Sequence, residues 1–67
     1  MTITSYKVKQ YNSVWKRVIC CNGEPVVIAS SDKQESDIIA YLNGYKVDIP
    51  DGRIKKELDR VIKKYGK

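Results

Sequence analysis

The sequence predicts an α+β fold of order β-β-β-α-(β)-α, an antiparallel meander of three or four strands carrying two helices. Three observations support this. Residues Ile3 to Tyr11 alternate in polarity, Asn22-Gly23 separates two runs rich in β-branched residues, and Ile54, Leu58, Val61, Ile62 and Tyr65 recur at helical spacing.

In the first strand, Ile3 to Tyr11, Tyr6 and Val8 share one face while Lys7, Lys9 and Tyr11 share the other. The apolar face is expected under the helices, which leaves the lysines and Tyr11 on the wet side. Asn12-Ser13 marks a turn. Val14 to Cys21 then carries β-branched and aromatic residues on both faces, as a central strand does. Asn22-Gly23 is a strong hairpin signal, and Val26-Val27-Ile28-Ala29 supplies the third strand. Pro25 leaves two registers open: a two-residue loop pairs Ile19 with Val26, and a four-residue loop pairs Ile19 with Ile28 and Cys21 with Val26.

Two overlapping capping boxes, Ser31 with Gln34 and Asp32 with Glu35, precede Ile38-Ile39-Ala40-Tyr41-Leu42 and start a short helix. Asn43-Gly44 ends it, because glycine accepts the left-handed conformation of a helix stop. Tyr45 to Ile49 reads either as a fourth short strand or as an extended linker. Asp51 is a cap for a second helix from about Arg53 to Tyr65, whose apolar stripe follows a period of 3.6 residues.

A chain of 67 residues buries only about 60% of its unfolded surface, so residues 1–67 are expected to form one compact domain. No apolar run approaches the ~18 residues that span a bilayer, and Met1-Thr2-Ile3-Thr4-Ser5 lacks the features of a signal peptide. The expectation is a cytoplasmic protein with no membrane partner. Cys20 and Cys21 are adjacent, and neighbours on a strand point to opposite faces, so reduced, buried thiols are expected rather than a disulfide or a metal site. Histidine is absent, which removes the usual general base and zinc ligand, and no glycine-rich phosphate loop is present. Neither an enzyme nor a cofactor is expected.

Basic ends flank an acidic middle. Lys7, Lys9, Lys16 and Arg17 lie in the first strands, Asp32, Glu35 and Asp37 at the start of the first helix, and seven further cations after Asp51. Lys7, Lys9, Tyr11, Trp15, Lys16 and Arg17 interleave cations with aromatics, a pattern that holds phosphates and stacks on bases. Arg53, Lys56, Arg60, Lys63 and Lys64 line the polar side of the last helix, where Glu57 and Asp59 are spaced to pair with Arg53 and Lys63. Each set also has a plainer reading, as core aromatics beside a solvated face and as a helix laced by ion pairs. The acidic group needs no ligand, since carboxylates favour a helix N-terminus.

A three-stranded meander with an Asn-Gly hairpin, then a capped helix ending Tyr41-Leu42-Asn43-Gly44, resembles small orphan proteins of bacteriophages and mobile elements. It is also similar in element order to the arm-site DNA-binding domains of phage integrases, whose sheet enters the major groove. That resemblance covers residues 6–44 and implies that Lys7, Lys9, Lys16 and Arg17 reach DNA. The leading expectation is a non-enzymatic binding protein that docks onto a host macromolecule, a protein before a nucleic acid, and modulates it. A nucleic-acid module using the basic and aromatic sheet face is the alternative, and a homodimer formed through a sheet edge or the last helix is a third.

Overall fold

A computed structural model describes residues 1–9 and 14–65. Its elements follow the order β1 (Ile3–Lys9), β2 (Trp15–Cys21), β3 (Glu24–Ala29), α1 (Asp32–Leu42) and α2 (Gly52–Tyr65). The strands form one antiparallel sheet in the order β1-β2-β3, so the strand with apolar residues on both faces is the central one. Tyr11 lies outside the described residues.

The hairpin between β2 and β3 turns through two residues. Asn22 has φ 53° and Gly23 φ 83°, the pair of positive angles that a type I′ turn demands. Cys21 pairs with Glu24 and Cys20 with Pro25, as that loop requires, but the register then shifts and Ile19 pairs with Val27. Neither sequence register survives intact. An extra residue at Val26 bulges from β3, which turns Val27 and Ala29 to the face of Ile19 and leaves Ile28 on the other.

Ser31 caps α1: its Oγ accepts from the Gln34 N–H at 3.1 Å, and Gln34 Oε1 accepts from the Ser30 N–H at 2.7 Å. At the far end the Tyr45 N–H reaches the Ala40 carbonyl at 3.0 Å and the Gly44 N–H the Tyr41 carbonyl at 3.1 Å, a Schellman stop with Gly44 at φ 94°. Residues 45–51 connect the two helices without forming a fourth strand, and Ile49 is buried in the same core as Leu42. Asp51 Oδ1 accepts from the Arg53 N–H at 2.9 Å and starts α2.

Both helices pack on one side of the sheet. Ile19, Cys21 and Ala29 meet Ile38 and Leu42 of α1 and Leu58 and Val61 of α2 in one core, with Ile3 and Val27 against it. The small side chains of Cys21 and Ala29, both fully buried, let the helices approach closely. This choice reverses the expected orientation of β1. Ser5, Lys7 and Lys9 pair with Ile19, Arg17 and Trp15 and share the helix side, whereas Tyr6 and Val8 pair with Val18 and Lys16 on the open side. Only Ile3 of β1 reaches the core, Ser5 donates to Glu35 of α1 at 2.7 Å, and the two lysines on that side stay exposed.

Candidate functional site

The predicted basic and aromatic residues do not gather on one surface. Arg17 is committed to the fold. Its side chain is 12% exposed, its Nε and Nη2 lie 3.0 and 2.8 Å from Asp32 Oδ1, and Nη1 donates to the carbonyls of Trp15 and Ser30. This clasp ties β2 to the start of α1, where the carboxylate also suits the helix dipole. Lys16 points to the opposite side of the sheet and donates to Ser30 Oγ at 3.3 Å. Lys7, Lys9 and Trp15 remain exposed on the helix side, with the Lys9 ammonium 5.9 Å from the centre of the Trp15 ring.

On α2, Arg53, Lys56, Arg60, Lys63 and Lys64 are all exposed, as their spacing implies. Their pairing differs from the spacing argument. Glu57 contacts Arg60 at 3.4 Å rather than Arg53, and Asp59 accepts from the Tyr41 hydroxyl at 2.6 Å rather than pairing with Lys63. That hydrogen bond to Asp59, with some burial, holds the Tyr41 hydroxyl above its ordinary pKa. Glu24 accepts from the Tyr65 hydroxyl at 2.6 Å and lies 3.9 Å from Lys64, which ties the end of α2 to the hairpin.

Cys20 and Cys21 are both buried and unbridged, and they occupy opposite faces of β2. Burial pushes the Cys21 thiol up, and the neighbouring Cys20 adds to the shift, so Cys21 is held as a neutral thiol rather than a nucleophile. Among the described residues no group of three or more carboxylate and thiol side chains comes together to hold a metal ion. None of their helices is long and apolar enough to cross a membrane.

The open face of the sheet is the one that the alternation of β1 assigned to the core. By register, Thr4, Tyr6, Val8, Lys16, Val18, Cys20, Pro25 and Ile28 lie on it. Val18 and Cys20 are buried yet outside the core beneath the helices. Tyr6 and Ile28 flank them, 52% and 56% exposed. Among the described residues Lys16 is the only charge on this face. The signal lay in β2 itself, since a strand apolar on both faces needs cover on both.

A groove of about 480 Å³ runs from this face around the outer edge of β3, lined by Val18, Val27, Ile28 and Ile54 together with Arg53 and Glu57. No family model, curated protein or solved structure matches the chain.

Proposed function

We propose that this is a non-enzymatic binding protein that docks onto another protein through the open face of its sheet and modulates it. The observation that carries the reading is the apolar cluster Tyr6, Val8, Val18, Cys20 and Ile28 on a face that neither helix covers. An aromatic ring and a β-branched side chain, each half exposed above a buried floor, have the form of a protein hot spot. Lys16, the single cation of that face among the described residues, favours a partner whose apolar surface carries carboxylates. Reduced thiols at Cys20 and Cys21 fit a cytoplasmic setting, and the resemblance to phage orphans makes a host protein the expected target.

The nucleic-acid reading has less support. Its cations divide between two faces, and Arg17 is already bound to Asp32. One comparison tests the two. Affinity capture from cells with the wild type, with Tyr6→Ser/Ile28→Ser and with Lys7→Glu/Lys9→Glu is expected to lose its protein partner only with the first variant. Micromolar binding of mixed-sequence DNA that weakens steeply with salt and disappears in Lys7→Glu/Lys9→Glu would instead establish the nucleic-acid role.

A further inference from the structure

The two edges of the sheet are protected differently. β1 carries Lys7 and Lys9 along its edge, charges that discourage another strand from pairing. β3 presents Val26-Val27-Ile28-Ala29 without a charge, and Pro25 with the bulge at Val26 guards only its start. Among the described residues, the backbone of β3 within this run makes hydrogen bonds to β2 alone. The groove around that edge takes Val18 and Ile28 from the open face and Val27 and Ile54 from the helix side, so it spans both faces of the strand's edge. It continues along α2 past Glu57, Arg60 and Val61 to Lys64.

We infer that this groove receives an extended segment of the partner protein, added antiparallel or parallel to β3 as a fourth strand, with aliphatic residues at alternate positions and a carboxylate at the Arg53 end. The inference rests on the protein-docking reading and specifies its partner. Backbone pairing supplies the register, and Val27 with Ile54 on one side and Ile28 with Val18 on the other receive alternate side chains. Charge decides which end of the segment is acidic. Glu57 is engaged by Arg60, and Glu24 by Lys64 and Tyr65, whereas Arg53 has no carboxylate within ion-pair distance among the described residues. Lys56 lies beside it.

A second copy of this chain fits the groove poorly. Pairing β3 with its own copy would set two α2 helices side by side. Each carries Arg53, Lys55, Lys56, Arg60, Lys63 and Lys64 against only Glu57 and Asp59.

The probe is a random dodecapeptide library displayed on phage and selected on the intact protein. Selected peptides would be mapped by amide chemical shifts and remade with single backbone N-methyl groups. Strand addition predicts binders that alternate aliphatic residues and carry Asp or Glu, shifts centred on Val26 to Ala29 and Ile54, and loss of binding for N-methylation at every second position only. Arg53→Gln is expected to weaken them about tenfold, the value of one charge-assisted contact. Binders that shift Tyr6 and Val8 instead, and that tolerate N-methylation at every position, overturn the edge site while leaving the open-face reading intact. A concentration-dependent dimer in sedimentation that protects the β3 amides overturns the peptide in favour of a second copy. Failure to select any binder overturns the inference outright.

Discussion

Replacing Arg17 with glutamine tests whether this cation serves the fold or a ligand. Its guanidinium bridges Asp32 Oδ1 and the carbonyls of Trp15 and Ser30 while only 12% exposed, so the variant loses two anchors between β2 and the start of α1 and a third within β2. The ion pair itself contributes little, because the Asp32 side chain is 77% exposed and screened by water. The bonds from a charged donor to two carbonyls set the larger part, for a total cost of about 1–3 kcal/mol. A domain of this size has a stability of roughly 3–10 kcal/mol, so the loss is a large fraction of the whole. A cost of about 2 kcal/mol lowers Tm by roughly 8–16 °C. In urea, monitored by circular dichroism, it moves the midpoint by about 2 M at an unchanged slope of about 1 kcal/mol/M. Lys7→Gln and Lys9→Gln, both on exposed side chains of the same sheet, are expected to stay within about 0.5 kcal/mol of the wild type. If Arg17→Gln unfolds with the same midpoint as Lys7→Gln, the clasp is not structural and Arg17 returns to the set of binding cations.

Three further outcomes follow from the packing. Leu58→Ala removes a fully buried side chain at the centre of the core and should cost about 2–5 kcal/mol, enough to leave much of the chain unfolded at 37 °C; a sharp thermal transition near that of the wild type would contradict the assignment. Gly44→Ala introduces a Cβ into open space at φ 94°, so its cost is conformational only, about 1 kcal/mol, and a denaturation midpoint at or above the wild type would disprove the Schellman stop. The Tyr41 hydroxyl is raised by its bond to Asp59, so its contribution is complete below its unfolded pKa near 10 and lost as pH rises through the higher folded value. Stability of the wild type measured against Tyr41→Phe should therefore fall above pH 10, and parallel pH profiles for the two proteins would exclude the linkage.

The candidate site was legible only in part. The polarity of α2 was readable because a helix projects each residue at a definite angle, and its cations are exposed as the spacing implies. Arg17 and Lys16 read alike as sequence, yet one is clasped under the sheet and the other is on the open face, because adjacent strand residues point to opposite sides. Glu57 and Asp59 have partners three residues along the helix and on α1, contacts that spacing within a single helix leaves undetermined. The bulge at Val26 belongs to the same class. A proline two residues after the turn announces irregular pairing, while the position of the extra residue depends on which side chains must reach the core.

Local chemistry thus determined the elements of this protein from sequence alone. Asn22-Gly23 made the hairpin, Ser31 and Asp51 started the helices, Gly44 stopped the first, and the stripe from Ile54 to Tyr65 selected the buried side of the second. Which face of the sheet the helices cover was decided only in three dimensions. Alternation with a period of two is unchanged when a strand is turned over, and β2 is apolar on both sides, so β1 alone suggested an orientation opposite to the one adopted. The contest was settled by Ile19, Cys21 and Ala29, which join both helices in one core, and its outcome left Tyr6 and Ile28 facing outward.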